Sequence, residues 1–209
     1  MDLHLHDAEP TGEERAAVDA LLGAPTSGWE GGERDPERDT HVAIGGHDAR
    51  ARRHLLLPAL HAVQSRVGWI SEGALNYVCQ RLTVPPADAW GVATFYALFS
   101  TTPRPRRVLH VCDDIACKCR GADALIAKLE KAVGPEYHPP KNGSVKVGEF
   151  AWVRSPCLGM CDQAPAALVQ EFGPSPRDTL MGDVSVDVLG PLLRSGRSSA
   201  RPPRGRAGK

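Results

Sequence analysis

Two closely spaced cysteine pairs constrain the fold of this chain more than any other feature of its sequence. Four residues separate Cys112 from Cys117, and three separate Cys157 from Cys161. Each pair can bind one side of a compact metal site, and residues 118–156 are enough for a helix and a strand that return the second pair to the first. Four thiolates suit either a [2Fe-2S] cluster or a structural Zn²⁺ ion. The first would make the chain an electron carrier, and the second a metal-stabilised domain.

Cysteine content and hydropathy indicate a soluble, intracellular protein. Six cysteines in 209 residues are too few for a disulfide scaffold. The first residues, Met-Asp-Leu-His-Leu-His, do not form a signal peptide. No apolar run approaches the roughly 20 residues needed to cross a bilayer. We therefore expect a cytoplasmic protein, because clustered cysteines in a reducing compartment are more often metal ligands than disulfides.

Charge is balanced over the whole chain but not along it. Residues 1–39 contain eleven acidic side chains and three arginines, whereas residues 194–209 contain five arginines, one lysine and no acid. Both ends are also rich in Gly, Pro and Ser, which is typical of solvated segments. The basic end has no aromatic residue to stack on bases, and the rest of the chain is not basic. We therefore expect no nucleic-acid partner.

Apolar spacing predicts four helices in the first half of the chain. A capping box at Thr11–Glu14 begins a short helix that reaches Leu22. Three longer helices are predicted to follow, over residues 55–67, 71–82 and 86–99. In the first of these Pro58 predicts a kink and Gly68 the end, and Ser71 is the expected N-cap of the second. Short connections between these helices predict a small helical subdomain.

From residue 107 onwards the pattern changes to short buried strands alternating with helices. The predicted order is a strand over 108–111, a helix over 121–133, a strand over 145–153 and then the loop with the second cysteine pair. Two strands over 166–170 and 178–181 and a closing helix over 184–193 follow. This is the order of a thioredoxin-like α/β sandwich. Each cysteine pair would lie just beyond the carboxyl end of a strand, where open α/β sheets bind their ligands.

These patterns divide the chain into four segments. We predict an acidic, mostly flexible N-terminal extension with one short helix over 1–46 and a helical subdomain over 47–102. A thioredoxin-like ferredoxin domain is predicted over 103–194 and a disordered basic tail over 195–209. The metal site belongs to the third segment.

Charged residues beside the cysteines would act on the potential of a cluster. Reduction adds a negative charge to an already anionic group, and Lys118, Arg120 and Arg154 would ease that change. Asp113 and Asp114 would oppose it, so if they point at the cluster they should make it harder to reduce.

The chain resembles the [2Fe-2S] subunit of NADH dehydrogenases, which in bacterial respiratory complex I is the E subunit. It also resembles the related small subunit of NAD-dependent formate dehydrogenases and hydrogenases. The resemblance covers residues 55–193, about two thirds of the chain. The motifs that carry it are residues 56–64 with Gly68-Trp69-Ile70, Gly91-Val92-Ala93-Thr94-Phe95-Tyr96, Cys112-x4-Cys117 with Arg120-Gly121, and Cys157-Leu-Gly-Met-Cys161-x3-Pro165.

The resemblance implies a thioredoxin-like ferredoxin domain behind an N-terminal helical bundle. It implies one [2Fe-2S] cluster with four ligands, Cys112, Cys117, Cys157 and Cys161. In this family the cluster exchanges single electrons with the FMN of a separate NADH-binding flavoprotein subunit. FMN and NAD are therefore expected on that partner, with further iron–sulfur subunits in the same complex and no substrate site or catalytic residue in this chain. In respiratory complex I such a subunit would lie peripherally at the inner membrane face. The alternative remains a zinc-stapled interaction module without redox activity.

Five residues carry separate expectations. Asp113 follows the first ligand where relatives often have a small or hydroxyl residue. Cys119 is expected to be a bystander, and Cys79 a buried core thiol. Gly159 would avoid a side chain that crowds the sulfurs. Pro165 would be the cis proline often found in thioredoxin-like folds.

Overall fold

A computed structural model describes residues 7–39, 50–139 and 150–189 of the chain. Six α-helices and four strands have defined bounds there: α1 Gly12–Leu22, α2 Leu56–Val67, α3 Glu72–Leu82, α4 Pro86–Phe95, β1 Arg107–Cys112, α5 Ile115–Cys119, α6 Ala122–Val133, β2 Phe150–Ser155, β3 Ala167–Glu171 and β4 Arg177–Met181. Short 3₁₀ helices lie at Gly28–Glu30, Arg53–Leu55 and Cys161–Gln163. Residues 186–189 are also helical.

The described residues form two compact units, each built from separate stretches of sequence. One consists of the described residues within Met1–Leu109, Tyr137–Val153 and Val169–Thr179. The other consists of those within His110–Glu136, Arg154–Leu168 and Leu180–Lys209. All four paired cysteines belong to the second unit.

The helical core lies in the first unit, and local capping signals determine where two of its helices begin. Thr11 and Glu14 form the predicted capping box at the start of α1, and the Ser71 hydroxyl caps α3 by accepting from the Ala74 N–H at 3.0 Å. The buried side chains of α1 to α4 pack together in one cluster that includes Val18, Leu60 and Val78. Helix α1, which the sequence assigns to the N-terminal extension, therefore lies in the same core as the later helices.

Pro58 does not kink the helix that contains it. It occupies the third position of α2, which continues unbroken to Val67 and ends at Gly68 with a φ of 93°. N–H groups in the first turn of a helix have no acceptor within the helix, so a proline there removes no hydrogen bond. The predicted end at Gly68 is confirmed, and the predicted kink is wrong.

The four strands form one mixed sheet in the order β2-β1-β3-β4. Strands β1 and β3 run antiparallel, since the Cys112 N–H donates to the Ala166 carbonyl while the Phe172 N–H donates to the Arg106 carbonyl. Strand β2 joins β1 on the other side, and the Asp113 N–H donates to the Ser155 carbonyl where both strands end. The carboxyl ends of β1 and β2 therefore meet at one edge, which confirms the thioredoxin-like α/β fold.

Several local features differ from the sequence prediction or lie outside the described residues. Helix α5 was not predicted, and α4 ends at Phe95 rather than at residue 99. The Ala164–Pro165 peptide bond is cis, as predicted. Residues 145–149 of the predicted second strand, residues 190–193 of the closing helix and the basic tail lie outside the described residues. Among the helices described, none is both long enough and apolar enough to span a membrane.

Candidate metal centre

The first cysteine pair is held where strand β1 gives way to helix α5. Cys112 is the last residue of β1 and Cys117 lies in α5, and both are buried, with exposed fractions of 1% and 2%. The Cys112 thiol and the Ala166 backbone both act on the pKa of Cys117, the first raising it and the second lowering it. The strand fixes one thiol, and the single helical turn brings the other back beside it.

The second pair lies on the exposed segment that follows β2, with Cys161 as the first residue of the 3₁₀ helix Cys161–Gln163. The sulfurs of Cys157 and Cys161 are 3.3 Å apart, and both residues are exposed. The Gly159 N–H donates to the Cys157 sulfur at 3.4 Å. A backbone N–H directed at a thiolate is the kind of contact that stabilises iron–sulfur ligation.

Gly159 permits this loop for a different reason from the one expected. A methyl group at this position would meet no atom within 4 Å, so a side chain would not crowd the sulfurs. Its φ is 81°, in the left-handed region that residues with a Cβ rarely adopt. The glycine is therefore required by backbone conformation rather than by space.

Apolar side chains cover the first pair. Cys112 and Cys117 belong to a buried cluster with Ala122, Ala164 and Ala166, and the half-buried Leu158 and Met160 pack against it. Since Leu158 and Met160 come from the second loop, the two loops share one apolar base. The side of the candidate centre formed by Cys112 and Cys117 is thus shielded from solvent, and the side formed by Cys157 and Cys161 faces it.

Two of the four thiols are harder to ionise than usual. Burial raises the pKa of Cys117, and the neighbouring Cys112 thiol adds to the effect. The hydrogen bond with Cys157 and the charge of that group raise the pKa of Cys161. A bound cation would offset this repulsion and favour the thiolates, so metal binding would release protons.

Arg154, expected to ease the charge of a cluster, has partners of its own. Its guanidinium pairs with Glu136 at 3.2 Å, with Glu130 at 3.4 Å and with Asp113 at 3.9 Å. Asp113 is the acid expected to oppose reduction, and Arg154 lies closer to Glu136 and Glu130 than to it. Lys118 and Arg120, which follow Cys117 in the chain, are exposed.

Asp114 connects the two cysteine loops. One carboxylate oxygen accepts from the Ile115 N–H at 2.7 Å and so caps α5. The other accepts from the Cys157 N–H at 3.2 Å. The cap could have been predicted from an acidic residue before Ile-Ala-Cys, whereas the bond to Cys157 spans 43 residues and had no local signal.

The two remaining cysteines, Cys79 and Cys119, belong to neither pair. Cys79 is fully buried in the helical core, and its burial raises the pKa of its thiol to about 12, so the predicted core thiol is confirmed. Cys119 is exposed at the end of α5. Across residues 7–39, 50–139 and 150–189, no three His, Cys, Asp or Glu side chains gather around one point. The four candidate ligands are instead arranged two by two.

These thiols fit a [2Fe-2S] cluster in chemistry and in grouping. Such a cluster takes two thiolates on each iron, which matches two adjacent pairs on neighbouring loops. The Gly159 N–H reaches one of the sulfurs. The fold and the site thus define a thioredoxin-like domain with a candidate thiolate metal centre at the ends of two neighbouring strands.

Sequence comparison identifies the family within this class. Residues 43–188 match the family of thioredoxin-like [2Fe-2S] ferredoxins, and the chain belongs to that family. The E subunit of NADH-quinone oxidoreductase from Pseudomonas aeruginosa is 30% identical over 149 residues, covering 71% of this chain and 83% of the relative. The E 2 subunit of the same enzyme from Rhizobium meliloti is 33% identical over 150 residues, covering 72% and 83%. The Escherichia coli protein is 32% identical over 126 residues, covering 60% and 73%.

Solved structures of an NAD⁺-reducing [NiFe]-hydrogenase also resemble the chain. The air-oxidised structure aligns with a TM-score of 0.48 and 26% sequence identity over 66% of this chain. The aligned region is 22% of the hydrogenase chain.

Proposed function

We propose that this chain is an electron-transfer subunit that carries one [2Fe-2S] cluster on Cys112, Cys117, Cys157 and Cys161. A bound cluster of this type supplies reversible one-electron oxidation and reduction. The observation that carries the proposal is the arrangement of two thiol pairs beyond neighbouring strands of a thioredoxin-like sheet in a chain of the [2Fe-2S] ferredoxin family.

The chain's own residues would bind and shield the cluster in different ways at its two sides. Cys112 and Cys117 would hold the buried side, where Leu158 and Met160 exclude water. Cys157 and Cys161 would hold the exposed side, near the surface at which a redox partner docks. Electron transfer needs such a short path between the cluster and the surface of the protein.

The proposed partner is a flavoprotein subunit that binds NADH and FMN. The names of the relatives support this, since they are subunits of NADH-quinone oxidoreductases. Hydride chemistry would occur on the flavin of the partner, and this chain would exchange single electrons with it. The complex would be an NADH dehydrogenase, a formate dehydrogenase or a hydrogenase, and further iron–sulfur subunits would complete it.

Replacing single cysteines tests the ligand assignment. We expect Cys112→Ser and Cys161→Ser to lose or distort the cluster, because a hydroxyl is a poorer ligand for iron than a thiolate. Visible absorption and EPR spectra of the anaerobically purified variants would show the loss. Cys119→Ser is the matched control and should keep the spectra of the unaltered protein. Unaltered spectra in Cys112→Ser and Cys161→Ser, or a lost cluster in Cys119→Ser, would contradict the assignment.

A further inference from the structure

We propose that Asp114 is a positioning residue that fixes the separation of the two cysteine loops through the Cys157 N–H. The inference rests on the proposed function, because it concerns how those loops hold the cluster. In this role Asp114 holds the two loops together, in addition to capping α5. The role differs from the electrostatic effect that the sequence predicts for Asp114.

The bridge uses both oxygens of one carboxylate. One accepts from the Ile115 N–H at 2.7 Å, which anchors the side chain to its own loop. The other accepts from the Cys157 N–H at 3.2 Å, which is the backbone of a proposed ligand on the opposite loop. Hydrogen bonds to an ionised acceptor are roughly twice as strong as neutral ones. Asp114 itself is half-buried, and both bonds lie where the two loops meet solvent.

The second loop needs such a support. The sheet holds it only as far as Ser155, whose carbonyl accepts from the Asp113 N–H at 3.1 Å. Beyond that point Pro156 and Cys157 are exposed, and Cys157 begins the loop that must present two thiolates at a set distance. The Asp114–Cys157 bond lies two residues past the last sheet contact. It therefore supports the backbone of the first ligand of this loop, ahead of the point where Leu158 and Met160 pack against the buried cluster.

Asp113 provides a matched comparison for Asp114. Both acids are half-buried, and removing either one changes the charge near Cys112 by the same amount. Asp113 faces Arg154 at 3.9 Å and caps no helix. Only Asp114 accepts from the Cys157 N–H, so a positioning role belongs to Asp114 alone.

The experiment compares Asp114→Thr, Asp114→Asn and Asp113→Asn. Threonine keeps an N-cap for α5 but is too short to reach Cys157, so it separates the bridge from the cap. Asparagine keeps one acceptor oxygen and removes the charge. Three quantities are measured: exchange of the Cys157 amide hydrogen in the metal-free protein, the rate of iron loss to a chelator, and the reduction potential of the loaded protein.

We expect both Asp114 variants to exchange the Cys157 amide and lose iron about tenfold faster than the unaltered protein, since a hydrogen bond to a charged group contributes at least about that factor. Asp113→Asn should leave both rates within about twofold, because it removes no such bond. The potential should rise in Asp114→Asn beyond its rise in Asp113→Asn, because the freed Cys157 N–H can donate to sulfur.

Two results would overturn the inference. One is equal Cys157 amide exchange in Asp114→Thr and the unaltered protein, and the other is equal iron loss in Asp114→Thr and Asp113→Asn. Failure of the unaltered protein to bind iron would contradict the proposed function instead. The amide measurement on metal-free protein would then still decide whether Asp114 holds the loop.

Discussion

At the scale of single residues, backbone conformation matters as much as the ligands themselves. Gly159 lies between two proposed ligands with a φ of 81°, and its N–H donates to the Cys157 sulfur. The left-handed conformation directs that N–H inward. The position therefore contributes to the site through its backbone alone.

Gly159→Ala should strain the second loop without any steric clash. Left-handed backbone costs a residue with a Cβ about 1–2 kcal/mol, which corresponds to roughly tenfold faster iron loss if the strain is released on cluster dissociation. The EPR spectrum of the loaded variant should stay close to that of the unaltered protein. Gly91→Ala is the control, because Gly91 lies exposed in α4 with no positive φ and space for a methyl group. Equal iron loss in the two variants would show that the left-handed conformation is unimportant.

The six cysteines should differ sharply in their reaction with a thiol reagent. In the loaded protein at pH 8 we expect one reactive thiol, Cys119, because four are proposed ligands and Cys79 is buried with a pKa of about 12. Thiolates are the reactive form, so a thiol with so high a pKa stays inert. Removing the metal should make the exposed Cys157 and Cys161 reactive, and denaturation should expose all six. Two or more reactive thiols in fully loaded protein would contradict the ligand set.

At the scale of elements, a buried polar network ties helix α1 to helix α3. Arg81 is 1% exposed, and its guanidinium pairs with Asp19 and donates to the Gly23 carbonyl at 2.7 Å. The Tyr77 hydroxyl donates to Asp19 at 2.6 Å. Asp19 thus neutralises the positive charge of Arg81, which would be unfavourable in the core of the helical unit without a counter-charge.

Asp19→Ala should destabilise the helical unit by about 3 kcal/mol, because it leaves the buried Arg81 without its counter-charge. Urea unfolding followed by circular dichroism at 222 nm, a wavelength at which helices absorb, would measure the loss. Asp88→Ala is the control. Its carboxylate pairs with Arg53 at 3.4 Å in an exposed position, and such pairs together with a helix-end charge contribute about 1 kcal/mol or less. Similar free energies of unfolding for the two variants would refute the role of the buried pair.

Long helices with clear local signals could be predicted from the sequence, and short ones could not. Helices α1, α2, α3 and α6 were predicted because each has at least eleven residues, an apolar stripe and a cap within a few positions. Helix α5 was missed because five residues are too few to show a period. The same limit applied to Asp114 and Arg154, whose partners on distant segments are set by the packing of the chain and by no local pattern.

At the scale of the whole molecule, the site combines a buried and an exposed side. Cys112 and Cys117 are covered, while Cys157 and Cys161 are exposed, and Ile115 between the first two proposed ligands is 77% exposed. We therefore expect electrons to enter and leave through this face.

The proposed cluster ligands could be chosen from sequence because their spacing is local and their family motifs are specific. The grouping into two close pairs, the shared apolar base and the charge balance around Arg154 required the folded chain. Family membership and fold were both anticipated by the motifs on either side of the cysteines, and the comparisons confirm them.

Metal content tests the central claim most directly. Iron, acid-labile sulfide and zinc would be quantified in anaerobically purified protein, and EPR spectra recorded after reduction with dithionite. The account predicts a brown protein with about two irons and two sulfides per chain and a rhombic EPR signal on reduction. A colourless protein with one zinc per chain and no EPR signal would contradict it, and would leave a zinc-stapled domain with the same fold.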